Sequence, residues 1–172
     1  WMSPGFDVPV IHCADGGVGR NVVEVLGRLG TKPLFYTAIG NDDTGRGILT
    51  RLKNECRVIT TTESVYVAND VSTAQYLALL DHDSDLVGGV ADMQALCRIP
   101  IPSIEELRGV EYLVLDSNAP VEVLVTAARN ATQAGALVCL EPTSIPKAML
   151  LSSSNEFLQH VSFMFPNEDE LF

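Results

Sequence analysis

The sequence predicts an α/β protein: a mainly parallel sheet with helices on both faces, and a small β-hairpin set apart from it. Three observations carry this. Late in the chain, "YLVLD" (Tyr112 to Asp116), "ALVCLEP" (Ala136 to Pro142) and "SFMFP" (Ser162 to Pro166) are short apolar runs separated by helix-like segments, roughly one βα unit apart. Near the start, the glycine-rich loop "GGVGRN" (Gly16 to Asn21) opens a stretch with apolar residues at helical spacing. Between these, Ser72 to Ala91 reads as two strands joined by the polar turn "DHDSD", with no helix intervening. Short apolar strands with helical connections build a parallel sheet, whose ligands gather at the carboxyl ends of the strands.

Each element has its own local reason. Val22, Leu26 and Leu29 recur at helical spacing, Glu24 can pair with Arg28 four residues on, and Gly30 supplies the stop. "LFYTAIG" (Leu34 to Gly40) reads as a buried strand. "NDDTG" then offers caps for a second helix whose apolar face holds Ile48, Leu49 and Leu52. Ser103 with Glu106 has the capping-box pattern and predicts another helix. The helix from Pro120 to Ala134 has proline at its first turn and Gly135 just past its end. The hairpin from Ser72 to Ala91 either covers a ligand as a lid or is an antiparallel edge hairpin that touches none. Its exposed edge also admits pairing across a homodimer.

Composition narrows the function classes. A chain of 172 residues, 47% hydrophobic and 19% charged, fits one soluble globular domain, or one large domain with a small appendage. No apolar run approaches the roughly 18 residues that cross a bilayer, and "WMSPGFDVPV" lacks the regions of a signal peptide, so a cytoplasmic location is expected. A formal net charge of -11 argues against binding a polynucleotide, which needs clustered Lys and Arg. Cys13, Cys56, Cys97 and Cys139 form no Cys-x-x-Cys pair, and reduced, mostly buried thiols are the default. His12, His82 and His160 stand alone, and Asn130-Ala131-Thr132 matches the glycosylation triplet by chance inside a helix-like stretch.

The glycine loop does not fit the two familiar phosphate-binding patterns. A P-loop ends in Lys followed by Ser or Thr, whereas Asn21 is followed here by Val22. A dinucleotide fingerprint begun on Gly17 lacks its third glycine, because Val22 holds that position. What remains is a turn in which Gly16 and Gly17 can adopt backbone angles closed to other residues, beside the polar Arg20 and Asn21. It either holds a small polyhydroxyl ligand or does nothing but turn.

The order of the pieces resembles a known family. The Gly-Gly-x-x-x-Asn helix start, "IGNDDTG", the hairpin, "LDSNAP" and "PNEDELF" together resemble the ribokinase-like (PfkB) carbohydrate and nucleoside kinases across nearly the whole chain. "SPG" ahead of the glycine loop, "STAQYLALLD" leading to "VADM", and "EPTSIPKA" are most similar to the pseudouridine kinase branch. The resemblance implies that Gly16, Gly17 and Asn21 bind sugar hydroxyls. Val18, where ribokinases carry a sugar-binding Lys, suits a ligand with an apolar base better than free ribose. Asn118 stands where ribokinases commonly place a substrate-binding carboxylate, with helix capping before Pro120 as its structural alternative. Thr73 and Asp92, on the hairpin and its exit, occupy the positions of lid contacts to ribose or base. Asn167 and Glu170 match the family's Asn-x-x-Glu motif, which helps organise Mg²⁺ and phosphate, and Glu141 stands at a strand end where the branch more often has Asp. Ordinary capping of a helix start is the plainer account of the acidic "PNEDE".

The activity implied is ATP-dependent phosphorylation of the 5′-hydroxyl of a nucleoside, pseudouridine first, with another nucleoside or sugar as the alternative within the family. The resemblance places residues 1–172 in the N-terminal and central part of one ribokinase-like domain, with residues 72–91 as its lid. The first strand would precede Trp1. The Gly-Ala-Gly-Asp motif, whose Asp is the catalytic base, is absent from this sequence, and the nucleotide-binding part would follow Phe172. No catalytic residue is expected within the chain, which alone would be inactive. A non-catalytic ligand-binding or interaction module is the rival from another class.

Overall fold

The computed structural model describes residues 12–171. The "SPG" stretch at residues 3–5 and the final Phe172 lie outside the described residues. Among the described residues the strands form three separate ladders. The first joins β1 (Thr37–Gly40) in parallel to β2 (Val65–Ala68), with the helix α2 (Asp43–Cys56) between them in the chain. The second is the antiparallel hairpin of β3 (Gln75–Leu80) and β4 (Leu86–Asp92), irregular between Leu79 and Leu80. The third is a parallel set in the order β5-β6-β7, made of Tyr112–Asp116, Leu137–Glu141 and Val161–Met164.

The largest core forms around the third ladder. In β6, Val138, Cys139 and Leu140 are all buried, and since neighbouring side chains point to opposite faces, the strand is covered on both. On one of these faces Val138 and Leu140 join Leu124, Ala128 and Ala131 of α3 (Val121–Ala134), with Leu151 of α4 (Ile145–Ser152) and Phe157 of α5 (Asn155–Leu158). Phe157 has no exposed surface, and burying a side chain of that size contributes about 1.5–3 kcal/mol. The N-cap of α3 is Pro120, and Gly135 closes the helix in the left-handed conformation at φ 88°.

The helix α1 (Val18–Arg28) is shorter and packs differently from its sequence pattern. Val23 and Gly27 are its buried residues, while Leu29 follows the last turn and is exposed. The reason is Gly27: a Cβ there would stand 2.0 Å from the carbonyl oxygen of Cys56, so α1 meets the end of α2 backbone to backbone and turns its seam toward that contact. The Glu24–Arg28 pair forms at 2.7 Å.

Other expectations are trimmed. Of the stretch Leu34 to Gly40, only Thr37–Gly40 pairs as a strand, and Leu34 makes an isolated bridge to Ile59. The Ser103 and Glu106 side chains and amides cap one another as the pattern predicts, yet no helix follows, because residues 104–109 remain a series of turns. Gly109 at φ 77° ends the segment before a second helical turn can form. Asn130 lies in α3 and donates to the Pro102 carbonyl at 2.8 Å. Cys56 and Cys139 are buried, Cys13 and Cys97 exposed, and all four are free. No helix among the described residues is long and apolar enough to cross a membrane.

Candidate functional site

The carboxyl ends of β5 and β6 and the amino end of α1 come together around Asp116. Asp116 is the last residue of β5, and its two oxygens face different partners. Oδ2 accepts from the Gly19 amide at 2.5 Å, in the first turn of α1, and Oδ1 accepts from the Asn118 amide at 2.9 Å. One carboxylate thus ties the glycine loop to the turn after β5.

The loop itself is open. Gly17 is the N-cap of α1 at φ 96°, a conformation that favours glycine, and it offers no capping side chain. A Cβ on Gly16 would meet nothing within 4 Å, so the space above it is free. The exposed Asn21 accepts from Arg20 at 2.9 Å and keeps its amide hydrogens for another partner. Arg20 is braced by Asp15 and Glu24, and Asp15 in turn takes two hydrogen bonds from Arg51. Val18 is half-buried beside this polar set.

Asn118 is not a helix cap, since Pro120 holds that position. Its Oδ1 accepts instead from Nζ of Lys147, in the first turn of α4. A lysine ammonium only donates, so the atom facing it is the amide oxygen and the Asn118 NH₂ is turned the other way. A cation in the first turn of a helix opposes the helix dipole, a cost that the contact with Asn118 offsets.

Glu141 ends β6 beside this group. Its Oε2 is buried and has no hydrogen-bond partner among the described residues, and the same holds for the Thr143 hydroxyl, on a residue at φ 64°. Burial pushes the Glu141 carboxyl above the ordinary range; Glu170 and Asp116 add to the rise, while the Thr143 amide and Lys147 oppose it. Asn167 and Glu170 cap each other reciprocally, at 3.1 and 2.9 Å, which is the capping arrangement the sequence also allows. Among the described residues no three His, Cys, Asp or Glu side chains gather closely enough to enclose a metal ion.

The lid residues are placed elsewhere. Thr73 is buried just before β3: its amide and hydroxyl donate to Asp42 at 2.8 and 2.7 Å, and its hydroxyl accepts from the Gly40 amide at 3.0 Å. Asp42 is also the N-cap of α2, accepting from Gly45 at 2.8 Å. These three donated bonds hold its carboxyl below the usual range, the Thr73 amide first. Asp92, at the end of β4, is exposed and accepts from the Gln94 amide at 3.2 Å. Neither is hydrogen-bonded to the Asp116 group. Asp116, Lys147 and Thr143 were not singled out from the sequence, and Asp42 was read only within the "NDDTG" caps expected for α2, without its link to Thr73. The strand-end position of Asp116 in "YLVLD" is a signal that could have found it; Lys147 carries none without the fold.

The model of the pfkB family of carbohydrate kinases matches residues 6–172. The chain belongs to this family. Among curated pfkB relatives, the pseudouridine kinase of Arabidopsis thaliana is 27% identical over 165 residues, 92% of this chain and 41% of that protein. The pseudouridine kinase of Escherichia coli K12 is 28% identical over 164 residues, 93% of this chain and 50% of that protein. The chain therefore spans about half the length of the curated relatives it matches. The pfkB fold is shared with the ribokinase of Arabidopsis thaliana, solved with ribose and ATP, at a TM-score of 0.76 and 23% identity over 91% of this chain and 50% of that one. The expected ribokinase-like α/β fold is borne out.

Proposed function

We propose that this chain carries the substrate-binding part of an ATP-dependent kinase that phosphorylates the 5′-hydroxyl of a nucleoside, with pseudouridine as the substrate. The observation that carries the reading is the pairing of a neutral, donor-presenting Asn118 with the open glycine loop across Asp116. A donor at that place suits an acceptor such as a base carbonyl or a ring oxygen, and Val18 offers the apolar contact that a base needs. Gly16, Gly17 and Asn21 would take the ribose hydroxyls. The two pseudouridine kinase relatives support the choice of nucleoside.

Glu141 has a free buried oxygen, and Mg²⁺ characteristically binds through one or two carboxylates with several waters retained, so the residues present fit a hydrated ion better than an enclosed one. Glu141 and Glu170 would hold it, with Asn167 keeping Glu170 in place, and the ion would offset the charge of the phosphates. The rest of the phosphoryl-transfer chemistry, including the base that accepts the hydroxyl proton, is assigned to the Gly-Ala-Gly-Asp segment that this sequence does not contain. The hairpin would close over the nucleoside and, in a homodimer, pair edge to edge with its copy. Its exposed Tyr76, Leu77, Leu79 and Val90 support a covering role.

Calorimetric titration of the full-length protein with pseudouridine and with ribose tests the substrate. Pseudouridine binds more tightly if the reading is right; equal or tighter binding of ribose overturns it. Product mass after incubation with ATP separates the kinase from a binding module.

A further inference from the structure

We propose that Asp116 is a positioning residue that sets the spacing between the two sides of the nucleoside site, the glycine loop and the Asn118 turn. The inference rests on the nucleoside reading above and adds a residue which that reading does not use. The first amides of an α-helix have no acceptor within the helix, and an N-cap side chain ordinarily takes one of them. Gly17 has no side chain to offer, and the Gly19 amide is taken instead by Asp116, 97 residues away in the chain, at 2.5 Å. A carboxylate is also the group that the positive end of a helix dipole favours. Its other oxygen holds the Asn118 amide at 2.9 Å, so that a shift of either side pulls on the other.

The approach is close enough to dictate a residue. A Cβ on Gly19 would lie 2.6 Å from Asp116 Oδ2, closer than real Cβ contacts come, and 3.3 Å from Cγ, so the Asp116 side chain would have to shift. Glycine at position 19 thus serves the contact rather than the helix, for which alanine is the better former. Local preference and the long-range contact therefore make opposite demands at this position.

The full-length protein tests this with Asp116→Asn, which keeps the shape but turns a donor toward one of the two amides, and with Gly19→Ala, which keeps the carboxylate but displaces it. In the wild type the Gly19 amide is protected from hydrogen exchange, and Asp116→Asn removes the protection. Both variants raise the KM for pseudouridine about tenfold, the effect of one lost charge-assisted hydrogen bond, while the KM for ATP stays unchanged. An unprotected Gly19 amide in the wild type, an unaltered KM for nucleoside in both variants, or an equal loss for ATP would each overturn the proposal. A wild-type protein that binds no nucleoside sinks the nucleoside reading itself, whereas wild-type binding with unaltered variants sinks only the role of Asp116.

Discussion

Asp42 is the acceptor on which the entry to the hairpin depends, and replacing it with alanine gives a large and well-defined loss. Asp42→Ala removes the N-cap of α2 and the two hydrogen bonds from Thr73, at 2.7 and 2.8 Å. Loss of a cap costs about 1 kcal/mol, and the stranded amide and hydroxyl of the buried Thr73 add about 1–3 kcal/mol. The sum, about 2–4 kcal/mol, lowers Tm by about 5–15 °C for a chain of this size. Urea unfolding of wild type, Asp42→Ala, Thr73→Val and the double variant measures it. The two single losses must overlap, because each removes the same contact; the coupling then exceeds about 0.5 kcal/mol. The sign with pH is fixed as well. The Asp42 carboxyl is depressed in the fold, so its stabilisation is present above the unfolded pKa of about 3.9 and is lost as pH falls through the lower folded value. The gap between wild type and Asp42→Ala therefore persists at pH 7 and closes in acid. Additive losses, or a gap unchanged at pH 2, would refute the reasoning. Weakened nucleoside binding by Thr73→Val with an unmoved unfolding midpoint would make Thr73 a ligand contact after all.

Gly27→Ala should lower stability by about 1–3 kcal/mol in denaturant unfolding despite the better helix propensity of alanine, because its Cβ would meet the Cys56 carbonyl at 2.0 Å. Glu141→Gln should raise Tm at neutral pH. The Glu141 carboxyl is pushed up in the fold, so the wild type loses stability as pH rises from the unfolded value of about 4.3 through the folded one, and the advantage of the variant vanishes below about pH 4. The same substitution should weaken activation of the full-length protein by Mg²⁺, measured as the Mg²⁺ concentration for half-maximal rate. Hydrogen exchange across residues 75–92 should slow when saturating pseudouridine is added; unchanged exchange would leave the hairpin without a lid role.

Much of the fold was legible because its signals are local. "YLVLD" announces a strand by an unbroken apolar run, and α3 is punctuated by Pro120 and Gly135. The hairpin was legible because no helical period interrupts it. β2 was missed: Val65–Ala68 is four residues long, with Tyr66 and Val67 exposed on both faces, and such a strand has no alternation to detect. The helix expected after Ser103 failed for the opposite reason, a sound local cap with too few residues before Gly109. In the candidate site, the glycines and Asn118 were proposed through family resemblance, while the side chains that contact them were not. Lys147 and Asp116 act on partners 29 and 97 residues away, and no pattern within either segment encodes such a distance.

Among the described residues, every ladder joins strands that are consecutive in sequence: β1 with β2, β3 with β4, and β5 with β6 with β7. Each can therefore form soon after its second strand is synthesised, across a connection far shorter than the span from Gly19 to Asp116. The link from Gly19 to Asp116 is different in kind, closing 97 residues at once. Pulse-labelled refolding should accordingly show the Tyr112–Leu137 ladder protected before the Gly19 amide; the reverse order would contradict it. A nascent chain that follows this order has its separate ladders before it has the contact that ties the glycine loop to the end of β5.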